Sequence, residues 1–124
     1  MKANKITNRK SGVEATALSK FNIISHIKMN AVVRQIRHLE YHVAIALLRE
    51  VPNRSARIVE KTLKSAYNNL LQVQKNVPEE ECFIKEILVG TGPNIKRMRP
   101  RARGRADVIK KRTSHLTVKV ARRA

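Results

Sequence analysis

The chain has 124 residues, of which 27 are Lys or Arg and nine are Asp or Glu, giving a formal net charge of +18 at pH 7. This length predicts one compact domain, and the 42% hydrophobic content argues against wholesale disorder. The charge predicts a partner of dense negative charge: RNA, DNA or an anionic membrane. A single cysteine, Cys82, excludes a disulfide within the chain and is interpreted as a small buried hydrophobic residue.

The N-terminal residues 1–13 are polar and basic and lack the apolar core of a signal peptide, so we expect a flexible basic tail. The single RNA-binding domain is expected to occupy residues 14–124. Its first element, residues 14–24, alternates weakly and is typical of an edge strand. No apolar run approaches the ~20 residues that span a bilayer, so no membrane partner is expected.

Three helices are predicted next, each from apolar residues that recur at helical spacing. Ser25 is the expected N-cap of the first helix, and Pro52 ends the second. The first stripe consists of Met29, Val32, Val33, Ile36 and Leu39. The second consists of Val43, Ala44, Leu47 and Leu48. The third consists of Ile58, Val59, Thr62, Leu63, Ala66, Leu70 and Val73.

A third of all acidic residues lie together in the loop Glu79-Glu80-Glu81. This end of the molecule is expected to face solvent, away from a polyanion. From Cys82 the apolar period becomes two, which predicts a strand with Ile84 and Leu88 on one face and Phe83, Ile87 and Val89 largely on the other. The turn residues that begin at Gly90 predict a bulge or bend in that strand.

A return strand is predicted over residues 108–121, with Leu116, Val118 and Val120 on its buried face. The intervening segment, about residues 90–108, is too polar to pack on the body and predicts a protruding hairpin. With about nine residues in each arm at ~3.3 Å per residue, it would project roughly 30 Å. Its tip is expected near Met98–Gly104, and its outer part is expected to be mobile until a partner holds it.

The hairpin carries a run of cations without an acidic residue between positions 93 and 105: Lys96, Arg97, Arg99, Arg101, Arg103 and Arg105. Arginine forks suit phosphate oxygens and stack on bases. The alternation from Arg99 to Arg105 predicts arginines on one side of an extended strand. A second cluster adds hydroxyl donors: Lys110, Lys111, Arg112, Thr113, Ser114 and His115. The simpler alternative is a solvated basic loop or a localisation signal.

Folded RNA is favoured over DNA because its irregular junctions suit a long narrow probe. The 3% aromatic content argues against a base-stacking sheet, and no helix has the residues of a major-groove reader. An architectural DNA-binding protein and a cationic membrane-active protein stay as alternatives. An enzyme is the least favoured class, since no catalytic motif occurs, and no cofactor is expected. His38 and His42 are spaced i, i+4 but lack a third ligand, so no metal is expected.

One ordered pattern is highly specific: Gly92-Pro93, Lys96-Arg97, Pro100 to Ala106, and Lys111 to Val118. It resembles the large-subunit ribosomal protein family called L-twenty-two in bacteria and plastids. A weaker match runs from Ser25 to Asn69, and the resemblance covers about residues 14–121. It implies an α+β fold in which three helices pack on a small antiparallel sheet with a long protruding hairpin.

The resemblance also implies a structural constituent of the large ribosomal subunit, a monomer within the ribosome that binds 23S-type rRNA and neighbouring ribosomal proteins. The hairpin tip would line the nascent-peptide exit tunnel, close to where macrolide antibiotics bind, and would meet the nascent peptide. The residues expected at the tip are Met98, Arg99, Pro100, Arg101, Ala102 and Arg103. The residues expected on rRNA are Lys28, Arg37, Lys96, Arg97, Arg99, Arg101, Arg103, Arg105, Lys110, Lys111, Arg112, Ser114 and His115.

The chain departs from the family pattern at His38, where a glycine usually follows the first helix. Glycine suits a left-handed cap, so either His38 adopts a strained conformation or the helix ends differently. The segment Val51-Pro52-Asn53-Arg54 is slightly more typical of plastid sequences. The expected location is therefore a ribosome in the plastid stroma or the bacterial cytoplasm, with the plastid slightly favoured.

Overall fold

Three helices and two antiparallel sheets make up the described part of the chain, residues 11–123 of a computed structural model. The predicted α+β fold, with three helices packed on a small sheet and a hairpin, is confirmed. The elements are β1 (Ser11–Asn22), α1 (His26–Ile36), α2 (Tyr41–Glu50), α3 (Arg54–Val73), β2 (Cys82–Thr91), β3 (Ile95–Pro100), β4 (Ala106–Lys111) and β5 (Ser114–Arg123).

The main sheet has the strand order β1-β5-β2, so the last strand of the chain lies in its centre. Leu116, Val118 and Val120 project from β5 into the core and are fully buried, as their alternation predicts. The helices cover this face of the sheet, and their apolar stripes supply residues such as Met29 and Leu63. The body is thus a two-layer structure with its core between helices and sheet.

The first strand begins three residues earlier than predicted, at Ser11. Because β5 continues to Arg123, it offers pairing partners for the added residues: Ser11 lies opposite Arg123 and Glu14 opposite Ala121. The end of the predicted tail is therefore strand. The rest of that tail, residues 1–10, lies outside the described residues.

Helices α1 and α3 bury most of the predicted stripes, whereas the predicted face of α2 is partly wrong. The residues buried on α2 are Tyr41, Ala44, Ile45 and Leu48, while Val43 is exposed. Tyr41 begins this helix and starts its buried stripe, since its ring stacks on Tyr67 with 4.5 Å between centroids. On α3 the predicted Val73 is the last helical residue and is 66% exposed.

His38 takes the strained alternative, with a φ of +63° directly after the end of α1. This is the left-handed region, which histidine visits more often than most residues at a cost of roughly 1–2 kcal/mol. The turn lets the carbonyl of Leu39 accept a hydrogen bond of 3.0 Å from the backbone of Ile84. The helix therefore ends where a glycine-type cap would end it.

Strand β2 contains a bulge at Lys85, not at the predicted glycines. Ile84 lies opposite Val120, but the next paired residue is Glu86, opposite Lys119. The extra residue shifts the alternation, so Ile84 and Ile87 both face the core. Leu88, predicted on the same face as Ile84, is 49% exposed.

The predicted return strand is broken in two between β4 and β5. At the break the N–H of Gly92 donates to the carbonyl of Thr113 (2.9 Å), and the Thr113 hydroxyl donates to the carbonyl of Pro93 (2.6 Å). A Cβ on residue 92 would overlap Thr113 Oγ1 and lie 3.2 Å from the Thr113 carbonyl carbon, so this close approach requires glycine. These contacts join the hairpin to the body.

The hairpin proper is a separate two-stranded sheet whose register runs from Ile95 opposite Lys111 to Pro100 opposite Ala106. Each arm has six paired residues, fewer than predicted, which at ~3.3 Å per residue spans about 20 Å. The chain reverses between Arg101 and Arg105, where the N–H of Arg101 donates to the carbonyl of Arg105 (2.7 Å). The turn thus starts three residues later than the predicted tip.

Candidate nucleic-acid interface

Most of the acidic residues of the body form ion pairs with Lys or Arg side chains of the body. Glu60 lies 2.6 Å from the Lys64 ammonium, which with its hydrogen bond holds the pKa of that carboxyl below its usual range. Other pairs of the body include Glu14 with Lys85, Glu86 with Lys119 (2.8 Å), Glu81 with Arg122 (2.8 Å) and Glu40 with Arg123 (2.8 Å). The charges of the sheet are thus largely balanced within the fold.

The hairpin shows the opposite arrangement. It contains nine cations between residues 93 and 112: Lys96, Arg97, Arg99, Arg101, Arg103, Arg105, Lys110, Lys111 and Arg112. Every residue in that range is exposed. Within the described residues only Arg101 of this set forms an ion pair, with Asp107 (2.6 Å), the one acidic residue of the segment.

The two faces of the hairpin differ in chemistry, because residues opposite one another in the ladder share a face. One face carries Arg97 and Arg99 with Ile109 and Asp107. The other face carries a lysine pair, Lys96 and Lys110, and then exposed apolar residues. These are Met98, Pro100, Ala106 and Val108.

The predicted one-sided row of arginines from Arg99 to Arg105 is wrong. Arg99 belongs to β3, whereas Arg101, Arg103 and Arg105 lie in the turn, where Arg103 and Gly104 have φ values of +60° and +69°. The cations are therefore distributed around the end of the hairpin. Met98, Arg99 and Pro100 of the predicted tip lie in the ladder, and Arg101, Ala102 and Arg103 lie in the turn.

The hydroxyl and imidazole groups after the hairpin do not extend the basic surface as predicted. Ser114 is 0% exposed, so its hydroxyl does not reach the surface where the RNA contact was predicted, and the Thr113 hydroxyl donates to the carbonyl of Pro93. His115 is half-buried, and its Nδ1 accepts a hydrogen bond from the N–H of Phe21 (3.1 Å). The enclosed Ser114 hydroxyl has no hydrogen-bond partner among the described residues.

A cavity of about 700 Å³ lies where the base of the hairpin meets the starts of α1 and α3. Lys28 and the cluster Lys110, Lys111 and Arg112 line it, so the structure brings these sequence-predicted residues together. Arg54 also lines it and was missed. Its position at the first residue of α3, with no acidic residue in that first turn, was the available signal.

Arg37 does not join this group. It follows α1 at its C-terminal end, nine residues and about 13 Å along the axis from Lys28. It lines a smaller groove of about 150 Å³ with His38 and the bulged part of β2. Arg37, a predicted RNA contact, therefore lies on a different surface from the cavity and the hairpin.

Other kinds of site find no support among the described residues. Among these residues, no three His, Cys, Asp or Glu side chains are arranged so that they could hold a metal ion. His38 lies outside the helix that carries His42. Within the same range, no helix is long and apolar enough to cross a membrane. Cys82 is buried as predicted, and burial raises the pKa of its thiol to about 12, with a smaller contribution from Glu79.

A long basic hairpin on a helix-covered sheet is the architecture that the sequence resemblance implied. The family model described as "Ribosomal protein L22p/L17e" matches residues 17–121. The chain belongs to this family. The resemblance stated from the sequence is therefore confirmed over most of the chain.

Individual relatives agree with the family assignment. "Large ribosomal subunit protein uL22" of Desulforamulus reducens is 45% identical over 109 residues, covering 88% of this chain and 96% of the relative. The protein of the same name from Syntrophus aciditrophicus is 46% identical over 106 residues (86% and 96%). That from Treponema denticola is 38% identical over 115 residues (93% and 96%). These relatives are bacterial and give no support to the expected plastid preference.

Proposed function

We propose that this chain is a structural constituent of the large ribosomal subunit that binds large-subunit rRNA through its hairpin and the cavity at the hairpin base. The observation that carries the proposal is the hairpin itself. Its twenty residues, 93–112, are all exposed and hold nine cations against one carboxylate. Such a segment obtains little stability from its own contacts and is stabilised when a polyanion neutralises its charges.

The arrangement of charge supports an insertion mechanism. A two-stranded ribbon alone is marginally stable in water. Phosphates on both sides would remove the repulsion between its cations and release condensed counterions, so the affinity should fall steeply with salt. The acidic end at Glu79–Glu81 lies at the start of β2, whereas the hairpin follows its end. That end would face solvent or neighbouring ribosomal proteins.

The outer end of the hairpin, Met98 to Arg103, is the part proposed to line the nascent-peptide exit tunnel. The ribbon is only two strands wide, about 5 Å between strands, so it fits a narrow passage in RNA. The proposed tunnel-facing residues, Met98 to Arg103, would then present exposed apolar and cationic groups to the nascent peptide. Arg103, with a positive φ, lies in the turn itself.

Sedimentation of a native lysate through a sucrose gradient, at low and then at high salt, tests the ribosomal assignment. Co-migration of this chain with the large subunit that survives high salt is the expected result. Recovery only in free or DNA-associated fractions would overturn the proposal and favour an architectural DNA-binding protein.

A deletion tests the tunnel assignment separately. Removing Met98–Arg103 leaves the cavity and the hairpin base in place, so we expect the variant to co-sediment with the large subunit while macrolide sensitivity changes. Loss of co-sedimentation with unchanged sensitivity would contradict the tunnel assignment. It would leave rRNA binding by the hairpin intact as an explanation of the loss.

A further inference from the structure

We propose that the cavity between α1, α3 and the hairpin base is a phosphate-binding site that holds the backbone of one RNA strand. The inference rests on the proposed function and adds an anchor where the body meets the hairpin base, whose Lys110 and Lys111 also belong to the hairpin ladder. The ligand class is a phosphodiester, recognised through its charge and oxygens and not through its bases.

Converging positive charge is the first observation. Five cations from three separate parts of the chain line the cavity: Lys28, Arg54, Lys110, Lys111 and Arg112. Across the described residues, none of the five takes part in an ion pair, whereas cations of the sheet are matched by carboxylates. No acidic side chain is among the described residues that line the cavity. Cations brought together without a counterion favour an external anion.

The backbone adds to this charge, because two helices begin at the cavity wall. Ser25 and Asn53 are the N-cap residues of α1 and α3, and both line the cavity. Neither side chain makes a capping hydrogen bond, and neither helix has an acidic residue in its first turn. The first amides of both helices therefore lack a side-chain acceptor, and the helix dipoles favour an anion at this position.

The hydroxyl of Ser55 adds a hydrogen-bond donor to the cavity wall. Ser55 is only 5% exposed and lines the cavity. Among the described residues, the fully enclosed side-chain polar atoms without a hydrogen-bond partner are Gln74 Oε1 and Ser114 Oγ, and the Ser55 hydroxyl is not one of them. Since this hydroxyl lines the cavity, it can donate to a phosphate oxygen there.

The size and position of the cavity select an RNA strand over a free ion. A volume of about 700 Å³ lies within the ~300–1,000 Å³ of pockets that hold organic ligands and exceeds what a lone phosphate needs. Ile23 and Ile24 form an apolar part of the wall, suited to a ribose. Lys110, Lys111 and Arg112 continue directly into the hairpin, so a strand that follows the hairpin reaches the cavity.

A matched pair of charge changes on α3 tests the site. Arg54→Gln removes a cavity cation, and Arg57→Gln removes an exposed cation of the same helix that does not line the cavity. Filter binding of the full chain to bacterial large-subunit rRNA should show about a tenfold weaker affinity for Arg54→Gln. The control should change about twofold or less. Equal losses for the two variants would overturn the cavity assignment.

A serine pair sharpens the result. Ser55→Asp puts a carboxylate into the cavity, and Ser65→Asp puts one on the exposed surface of the same helix. We expect Ser55→Asp to weaken rRNA binding more than tenfold beyond Ser65→Asp. The thermal unfolding midpoints of Ser55→Asp and Ser65→Asp show whether the substitution at buried Ser55 destabilises the fold. If it does, the comparison of Arg54→Gln with Arg57→Gln, both at exposed residues, tests the site.

Competition with inorganic phosphate distinguishes a site for an RNA strand from a site for free phosphate. Inorganic phosphate at millimolar concentration should not abolish the difference between Arg54→Gln and Arg57→Gln if the site holds an RNA strand. Abolition would mean a free-phosphate site and would overturn the RNA assignment. If the unaltered chain does not bind rRNA at all, the proposed function fails and the RNA assignment falls with it. If it binds but Arg54 is no more important than Arg57, only the cavity assignment fails.

Discussion

The body and the hairpin of this chain differ in how their side chains are buried and how their charges are paired. The body buries Leu63, Leu70, Leu116 and other apolar side chains completely and pairs most of its carboxylates with cations. The hairpin buries no residue between positions 93 and 112 and pairs a single cation. The sequence of the body is therefore explained by its own core, whereas that of the hairpin is explained by a partner.

The difference is concentrated at one junction. Gly92 and Thr113 connect the last paired residues of β2 and β5 to a ribbon that has no core of its own. Since a ribbon without a hydrophobic contact is marginal, its direction relative to the body depends on these few hydrogen bonds.

The largest effect is expected from Leu63→Ala in the core. Leu63 is fully buried on α3, so truncation should lower the free energy of unfolding by about 2–5 kcal/mol in urea titrations. Met98→Ala on the exposed face of the hairpin should stay within about 0.5 kcal/mol. A comparable loss for Met98→Ala would mean that the hairpin packs against the body in solution, which contradicts the contrast drawn here.

Gly92→Val should disturb the junction. A branched side chain overlaps Thr113, and relief of the overlap breaks the two hydrogen bonds at the hairpin base, at a cost of roughly 1–3 kcal/mol. Amide exchange of the hairpin residues should accelerate together with a lower urea midpoint. Gly90→Ala is the matched control, because its Cβ would meet only the Cβ of His115 at 3.9 Å. Equal effects of the two variants would show that the close approach at Gly92 is unimportant.

Alkaline pH should destabilise the body through Tyr41. Burial, with a smaller contribution from Glu79, raises the pKa of its phenol from 10.0 to about 12. The folded state therefore holds this proton more tightly than the unfolded state does. The corresponding stability is complete below pH 10 and is lost as the pH rises towards 12. Urea midpoints at pH 9 and 11 measure the loss.

Tyr41→Phe separates this effect from the deprotonation of lysines, which both proteins share. The variant should lose less stability between the two pH values than the unaltered chain. Cys82, whose pKa is raised in the same direction, is retained in both proteins. An identical pH dependence for Tyr41→Phe would contradict the assignment to the phenol.

The smallest effect on stability is expected at the hairpin tip. Arg101 and Asp107 form an ion pair in which both side chains are more than half exposed. Pairs of this kind contribute about 0–1 kcal/mol, so Asp107→Asn should barely change the urea midpoint. It should instead strengthen rRNA binding slightly, because a carboxylate among phosphates is lost. A weaker affinity would show that Asp107 positions Arg101 for its partner.

The spacing of apolar residues predicts those elements in which the helical or strand period continues without interruption. The stripes of α1 and α3 and the inward residues of β5 follow from spacing alone. The predicted face of α2 is partly wrong because it omits Tyr41, the first residue of the helix and the first of its buried stripe. The bulge at Lys85 depends on how β2 pairs with β5, and the sequence of β2 does not contain that register.

The site was predictable to a similar degree. The cationic hairpin is visible in the sequence because its residues are contiguous, and the family resemblance supplies the fold. The position of the turn depends on cross-strand register, so the tip was predicted too early. Arg54 and Ser55 join the cavity only because α3 begins beside Lys110–Arg112, a contact between segments about fifty residues apart in the sequence. Ser114 shares the inward face of Leu116, Val118 and Val120, so the alternation of β5 already indicated its burial, and the surface prediction followed from its basic neighbours instead.

The most direct test compares the chemical reactivity of lysines in the free chain and in the assembled large subunit. Unpaired lysines of the hairpin and cavity (Lys28, Lys96, Lys110 and Lys111) should become protected on assembly. Ion-paired lysines of the body (Lys64, Lys85 and Lys119) should keep the reactivity that they have in the free chain. Protection of the second set with continued reactivity of the first would contradict the division between a self-sufficient body and a partner-dependent hairpin.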